Sequence, residues 1–340
     1  MKPWRVVILC LCLVVPLVLH YSYVTYVTEP LAQDLAGEDI DIPRGSGVLA
    51  VTRQLNRQGI VTQPHWFILM TFLKGQARSI RYGTYTLEPG MTPAILLDRL
   101  VSGKVRQYPV VLVEGWSLAR IRTELAHHPE LKQTLKDLTD QDIMQKIAPD
   151  CQTADCRQPE GWLFPSTYHV TRETPDIEIL ERAYRIMRTT LESAWQDRAA
   201  GLPYTTPYQA LTLASIVEKE TARANERPAI AGVFVRRLHK GMRLQTDPTV
   251  IYGLGPRFDG DIRRRDLQTD TPYNTYTRSG LPPTPIAMPG AESIRAVMHP
   301  QAGNSLYFVA RGDGTHQFSE TLEQHNAAVD SYQRNNHAAR

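Results

Sequence analysis

The chain has 340 residues, and its 38 Lys and Arg against 35 Asp and Glu give a formal net charge of +3. This length allows two or three domains with sizeable cores, and so small a charge does not indicate a nucleic-acid partner. We find no zinc-ligand spacing, no phosphate-binding glycine loop and no nucleophile elbow, so the sequence predicts neither a metal nor a cofactor.

The N-terminus has the pattern of a membrane anchor. An apolar run, Val6–Leu19, lies inside a longer segment, Trp4–Val27, which is long enough to cross a bilayer if its aromatic residues sit at the interfaces. A cleaved signal peptide is the alternative, but no convincing small-residue cleavage site follows the run. Lys2 and Arg5 precede the run, so residues 1–27 are predicted as an anchor with a cytoplasmic N-terminus.

Three stretches repeat one pattern, in which an apolar extended piece ends at Gly45, Gly90 or Gly115 and an apolar helix follows. In the first copy, strand, helix, helix and strand follow one another, which resembles a LysM-like module, a small fold that grips glycans containing N-acetylglucosamine. We therefore predict an α+β protein. Its predicted parts are a linker at 28–38, a LysM-like subdomain at 39–103, a larger α+β catalytic domain at 104–335 and a tail at 336–340.

One helix carries the strongest catalytic candidate. Thr206 can cap it, Pro207 suits its first position, and residues 208–217 are apolar almost all round. Glu218 then shares a face with Leu211, Ala214 and Ala222. A carboxyl group on such a face is partly desolvated, and desolvation favours the protonated form that a general acid needs. A solvated Glu-Lys-Glu turn is the alternative.

Glu220 points away from that face, and we expect it to form a structural ion pair with Arg223 or Arg227.

Other candidates lie in loops on both sides of this helix. Glu160 and Trp162 belong to a dense aromatic turn, which is either a corner of the core or a cleft wall where an aromatic ring stacks on sugars. Asp247 precedes a proline, so we expect extended or turn backbone there. Cys151 and Cys156 could pair in an oxidising compartment, and metal binding by them is less favoured because no second ligand pair has matching spacing.

Five pieces of the chain together resemble the YceG-like endolytic murein transglycosylases (the MltG family). They are Glu160-Gly-Trp-Leu-Phe-Pro165, Ala214-Ser-Ile-Val-Glu-Lys-Glu-Thr221, Arg243-Leu-Gln-Thr-Asp-Pro-Thr249, Tyr273-Asn-Thr-Tyr276 and Gly280-Leu-Pro-Pro283. The resemblance implies a single-pass inner-membrane enzyme with a periplasmic catalytic domain that cuts nascent peptidoglycan strands internally.

The resemblance also implies roles for residues. It places the catalytic glutamate at Glu218 and the cleft Asp, Tyr and Asn at Asp247, Tyr252 and Asn274. We add Tyr276, Glu160 and Trp162 as candidate substrate-binding residues. Peptidoglycan glycan strands are the expected substrate, and peptidoglycan synthases are expected partners.

The implied reaction uses one carboxyl group twice. Glu218 would protonate the oxygen between N-acetylmuramic acid and N-acetylglucosamine, then accept the proton of the muramic C6 hydroxyl as that oxygen closes a 1,6-anhydro ring. One alternative is a hydrolytic muramidase that uses Glu218 and Asp247 as its two carboxylates. The other is a non-catalytic scaffold that binds glycan for the wall-synthesis machinery.

Overall fold

The structure is a computed structural model that describes residues 3–31, 35–151, 153–156 and 158–334. The predicted tail at 336–340, and residues 32–34 of the predicted linker, lie outside this part of the chain. The described residues form a mixed α+β structure, so the predicted fold class is confirmed.

The chain divides into two compact units, each described here by itself. Unit 1 consists of Met1–Tyr108 and His169–Glu173, and unit 2 consists of Pro109–Tyr168 and Thr174–Arg340. The division lies beyond the expected one after residue 103. The reason is that the Arg106 N–H donates to the Thr84 carbonyl at 2.7 Å, which keeps the following residues beside the strand that contains Thr84.

Unit 1 has four helices and a two-stranded antiparallel sheet in its described residues. In chain order they are α1 (Pro3–Thr28), β1 (Asp39–Ile42), α2 (Val48–Arg57), α3 (Pro64–Leu73), β2 (Gly83–Thr86) and α4 (Pro93–Ser102). The register pairs Asp39 with Thr86 and Ile42 with Gly83. The strand, helix, helix and strand therefore follow in the order expected from the sequence, whereas the LysM resemblance itself stays a prediction.

Helix α1 joins an apolar span to the core of unit 1. Its Cys10–Thr28 segment is long and apolar enough to cross a membrane. Near its end, Tyr26 is buried in a cluster with Phe67 of α3 and Leu97 of α4. The Leu31 N–H then donates to the Met91 carbonyl at 2.7 Å, so the chain stays on unit 1 after the helix ends.

Apart from Tyr108 and residues 169–170, two strand ends that are assigned to unit 1, the remaining elements belong to unit 2. They are β3 (Tyr108–Val111), α5 (Leu118–His127), β4 (Leu131–Lys132), α6 (Asp140–Ile147), β5 (Thr167–Val170), β6 (Thr174–Pro175), α7 (Asp176–Gln196), α8 (Pro207–Glu220), α9 (Arg227–His239), α10 (Asp247–Leu254), α11 (Arg264–Gln268), α12 (Ala291–Met298), β7 (Tyr307–Ala310), β8 (His316–Ser319) and α13 (Leu322–Val329). Strands β7 and β8 form an antiparallel hairpin, and β4 pairs with β6 in parallel. A disulfide joins Cys151 and Cys156 in the loop after α6.

Helix α8 is the central element of unit 2, as its sequence predicts. The Thr206 hydroxyl accepts the Gln209 N–H at 3.2 Å, and Pro207 stands at the first position. Helices α7, α9, α10 and α12 all pack against it. Every residue from Ala210 to Val217 is consequently buried, and beyond this run α8 ends in a C-terminal turn that carries Glu218 and Glu220.

Truncating Tyr26 tests whether α1 is part of the unit 1 core. We expect Tyr26→Ala to destabilise unit 1 by about 3–5 kcal/mol, as for other large aromatic side chains removed from cores. Thermal unfolding of the full chain in detergent measures the change. Tyr26→Phe is the matched control and should not destabilise, because the buried Tyr26 hydroxyl has no hydrogen-bond partner. Equal stability of Tyr26→Ala and the unmodified chain would contradict this packing.

Candidate active site

A cleft of about 540 Å³ opens at the C-terminal end of α8. We call it the Glu220 cleft. One side is formed by the end of α8 and the segment before α10, and the other by α9, the β7–β8 hairpin and α13. Its lining residues are Glu220, Arg237, Leu244, Gln245, Thr246, Asp247, Tyr276, Tyr307, Phe308, Val309, Ala310, His316, Leu322, His325, Asn326 and Val329.

Glu220 is the carboxyl group of α8 that lines this cleft. Burial raises its pKa to about 7, which the hydrogen bond from the Thr246 hydroxyl opposes and the charge of Asp247 reinforces. A carboxyl group with such a pKa is protonated in a large fraction of molecules at neutral pH and can still lose its proton readily. The expected ion pairs do not form, because Arg227 pairs with Glu218 and Arg223 donates to the carbonyls of Asp313 and Gly314.

Asp247 and Tyr276 form a hydrogen-bonded pair in the same cleft. The Tyr276 hydroxyl donates to Asp247 Oδ1 at 2.7 Å. Burial, followed by this hydrogen bond and the charge of Asp247, raises the pKa of Tyr276, so the phenol remains a donor. Two of the residues predicted to bind substrate are thus brought together beside Glu220.

Asn274 is a buried residue that hydrogen-bonds to the loop carrying Tyr276. Its side chain is buried, and its amide nitrogen donates to the carbonyl of Thr269 at 2.7 Å. Its amide oxygen accepts the Tyr276 N–H at 2.9 Å. Asn274 therefore holds the loop that carries Tyr276, and its side chain does not line the cleft.

The backbone before α10 is strained where it enters the cleft. Gln245 has φ of +53°, a conformation that costs free energy for a residue with a side chain. The conformation is held by Thr275, whose carbonyl accepts the Gln245 N–H and whose hydroxyl accepts the Thr246 N–H. This backbone conformation places the Thr246 hydroxyl where it donates to Glu220 Oε1. Asp247 begins α10, which differs from the extended or turn backbone expected before a proline, because the strained turn provides the entry into the helix.

Three lining residues of the cleft, Arg237, Tyr307 and His325, were not predicted from the sequence. The guanidinium of Arg237 lies 5.1 Å from the ring centroid of Tyr307, and that ring stacks on His325 at 5.2 Å. His325 Nδ1 is buried without a hydrogen-bond partner. These three residues come from α9, β7 and α13, so no local spacing connects them, and only the fold brings them together.

Glu218 occupies a different, buried environment. Its Oε1 accepts from the Arg227 guanidinium and its Oε2 accepts from the Gly290 N–H, both at 2.9 Å. The side chains of Glu218 and Arg227 are only 5% and 7% exposed. Both carboxylate oxygens are therefore occupied by protein donors. The predicted catalytic role of Glu218 stays a prediction, but this geometry is that of a structural ion pair linking α8, α9 and the loop before α12.

Glu160, Trp162 and Tyr252 lie outside the lining of the Glu220 cleft. Glu160 is buried, and its carboxyl group accepts the Leu118 N–H at 3.1 Å and the Tyr252 hydroxyl at 3.0 Å. Burial raises the pKa of Glu160 to about 7, against these hydrogen bonds. Glu160 thus joins the start of α5 to α10.

The sequence left open whether Trp162 lies in the core or in a cleft wall, and in the structure it lies in the core. It is 8% exposed, stacks on Tyr208 and donates its indole N–H to the Asp155 carbonyl at 2.9 Å. Little of the ring surface is left for a sugar, so the aromatic turn forms a corner of the core.

The fold and the site together define an α+β protein with an N-terminal apolar helix and a cleft organised around one buried carboxyl group. Residues 40–331 match the model of the YceG-like family. The chain belongs to the YceG-like family.

Similar proteins span most of the chain. An endolytic murein transglycosylase from Bacillus subtilis (strain 168) is 32% identical over 92% of this chain and 89% of its own length. One from Streptococcus pneumoniae (strain D39) is 28% identical over 85% of this chain, which spans 57% of that longer protein. The crystal structure of a YceG-like protein from Listeria monocytogenes, at 31% identity, superposes with a TM-score of 0.54 and covers 86% of this chain and 99% of its own.

The Glu218–Arg227 pair generates a stability prediction. We expect Glu218→Gln to lower the free energy of unfolding by about 3–5 kcal/mol, because it leaves the buried Arg227 guanidinium without its buried counter-charge. Glu114, whose carboxylate lies 3.6 Å from the Arg227 guanidinium and is 49% exposed, remains beside it and keeps the loss toward the lower end of this range. Chemical denaturation of the full chain measures the loss.

The double variant Glu218→Gln with Arg227→Met is the control. It removes both charges and should be more stable than Glu218→Gln alone. A Glu218→Gln protein as stable as the unmodified chain would show that the pair is not structural.

Proposed function

We propose that this protein is an endolytic lytic transglycosylase of peptidoglycan, which cleaves the bond from N-acetylmuramic acid to N-acetylglucosamine and leaves 1,6-anhydro ends. The observation that carries the proposal is the Glu220 carboxyl group, which lines the cleft with a pKa of about 7 beside the Asp247–Tyr276 pair. The relatives from Bacillus and Streptococcus are endolytic murein transglycosylases, which supports the same reaction.

Glu220 is the proposed proton donor and acceptor. It faces the cleft, whereas both oxygens of Glu218 are engaged by Arg227 and Gly290. The Thr246 hydroxyl donates to its Oε1, so Oε2 is the oxygen that would carry a proton toward a bound strand. Glu218 remains the alternative, since the two residues are two positions apart on the last turn of one helix.

The reaction proceeds in two proton transfers. Glu220 protonates the bridging oxygen as its bond to the muramic C1 breaks, and positive charge develops on C1 and the ring oxygen. The resulting carboxylate takes the proton of the muramic C6 hydroxyl, whose oxygen bonds to C1 and closes the anhydro ring. Glu220 ends protonated as it began, and water is not consumed. General acid catalysis of this kind contributes roughly 10²–10⁴-fold to the rate.

Asp247 and Tyr276 have positioning and electrostatic roles in this proposal. The negative charge of Asp247 stabilises positive charge on the sugar, and the Tyr276 hydroxyl fixes the direction of the carboxylate at 2.7 Å. A muramidase would instead need Asp247 to activate water or to attack C1. The relatives' names favour the transglycosylase, and the product distinguishes the two reactions.

Helix α1 is proposed as an uncleaved anchor in the inner membrane, with the N-terminus in the cytoplasm and both units in the periplasm. The support is the apolar Cys10–Thr28 segment, the basic residues before it and the burial of Tyr26 in unit 1. An enzyme held there would act on strands as they are made, and peptidoglycan synthases are its proposed neighbours. Unit 1 is proposed to bind glycan as a LysM-like module.

The first prediction of this proposal compares two glutamate variants. Glu220→Gln should lose about 10²–10⁴-fold in cleavage of uncrosslinked glycan strands, because an amide cannot donate the carboxyl proton. The products should be weighed, since anhydro ends are lighter by one water than hydrolysed ends. Internal fragments would indicate endolytic action.

Glu218→Gln is the matched control, compared per folded molecule at a temperature where both variants are folded. It should retain most of the cleavage rate. A folded Glu218→Gln protein without activity, beside an active Glu220→Gln protein, would assign the reaction to Glu218. Reducing muramic ends would assign a hydrolase, and binding without cleavage by the unmodified chain would favour the scaffold.

The second prediction concerns pH. The acid must be protonated to act, so kcat/KM should fall as pH rises through about 7, the pKa of Glu220. Thr246→Val removes the hydrogen bond that lowers this pKa, so the high-pH limb should move to higher pH. Asp247→Asn removes the charge that raises it, so the limb should move to lower pH. Shifts in the same direction, or no shift, would contradict the role of Glu220.

A further inference from the structure

Unit 1 presents an apolar helix face to solvent. In α3, Leu69, Phe72 and Leu73 are 39%, 61% and 66% exposed, whereas Phe67 and Met70 fill the core. The helix, Pro64–Leu73, carries no acidic or basic side chain other than His65. Exposed apolar side chains that adjoin one another can mark a contact with a membrane or another protein.

The exposed face is continuous with the membrane-spanning helix. Trp66 of α3 meets Tyr23 of α1 edge to face, with ring centroids 5.7 Å apart. With about 100° per residue, Leu73 lies within about 20° of Trp66, Leu69 about 60° away and Phe72 about 120° away. The apolar face therefore begins where α3 touches α1 and continues around α3 from that contact.

Basic residues follow the exposed face. Lys74 comes directly after α3 and forms an exposed ion pair with Asp98, and Arg78 is exposed four residues further on. An apolar helix face bordered by Lys and Arg matches the interface of a bilayer with anionic headgroups, where apolar side chains enter and long basic side chains reach the phosphates.

We propose that Leu69, Phe72 and Leu73, which we call the α3 apolar face, dock on the surface of the bilayer that α1 crosses. This inference rests on the proposed anchoring by α1. Burial of Tyr26 in unit 1 fixes the end of the span to the same core that carries α3, so both reach the membrane as one body. Unit 1 is then held at the membrane surface by a span and an interfacial helix, close to where new glycan strands emerge.

Site-directed spin labels on the full-length protein test the proposal. The background is Cys10→Ser with Cys12→Ser, which leaves the Cys151–Cys156 disulfide intact. The protein is placed in nanodiscs of phosphatidylethanolamine and phosphatidylglycerol. Labels at Leu73→Cys and Phe72→Cys report on the α3 apolar face, and Val14→Cys reports on the span. Ile186→Cys is the control on an exposed apolar residue of unit 2, 41% exposed.

Each label is compared for collisions with oxygen, which dissolves in lipid, and with a nickel chelate, which stays in water. We expect oxygen to dominate at positions 14, 72 and 73, and nickel to dominate at position 186. Adding Leu69→Glu to the Phe72→Cys protein should increase the nickel collisions at position 72, since an acidic group opposes insertion. Thermal unfolding checks that each variant retains its fold.

The outcomes distinguish the docking of the α3 apolar face from the anchoring by α1. Lipid exposure at position 14 with nickel access at 72 and 73 would overturn the docking and leave the anchor standing. Nickel access at position 14 would overturn both. Protection of 72 and 73 from both reagents would mean that protein, either a second copy or a partner, covers the α3 apolar face instead of lipid, and the proposal would again be wrong.

Discussion

The site depends on the cost of burying one carboxyl group at the end of a buried helix. Helices α7, α9, α10 and α12 pack against α8 and bury residues 210–217, so its last turn is where the helix leaves this buried run. Glu220 stands there with limited access to water, and burial raises its pKa to about 7. The strained turn at Gln245 and the Thr246 hydroxyl hold the surroundings of this group in place. The helix therefore provides both the position and the acidity of the proposed proton donor.

The same turn of α8 carries a second glutamate with a different environment. Glu218 faces Arg227 and the Gly290 N–H, and its charge is balanced within the protein. Glu220 faces the cleft, where the nearest strong interaction is with a neutral hydroxyl. Two residues of one type, two positions apart, thus have different surroundings because they point to opposite sides of the helix: protein donors contact Glu218, and Glu220 lines the cleft.

The sequence predicted the elements directly, whereas the surroundings of single residues depend on the fold. The Thr206 cap, Pro207 and the apolar run fixed α8, and the strand, helix, helix and strand order of unit 1 followed from local patterns. The choice between Glu218 and Glu220 depends on Arg227, Gly290 and Thr246, which local patterns do not place. The apolar run itself contained a usable signal, since a helix that is apolar all round buries the Glu220 face as well as the Glu218 face.

Loop residues were the least predictable part of the site. Asp247 and Tyr276 meet in the cleft, whereas Asn274 supports the loop of Tyr276 and Trp162 packs in the core. A polar or aromatic side chain in a loop has the same sequence signature whether it contacts substrate or supports the loop. Arg237, Tyr307 and His325 had no signature, because the fold assembles them from three distant elements.

The structure of the Glu220→Gln protein with a bound glycan strand tests the central claim most directly. The account predicts that the oxygen joining N-acetylmuramic acid to N-acetylglucosamine lies within hydrogen-bond reach, about 2.6–3.2 Å, of the side chain at position 220. It also predicts that Glu218 remains paired with Arg227. A strand whose bridging oxygen lies at Glu218, with the Arg227 pair opened, would contradict the account.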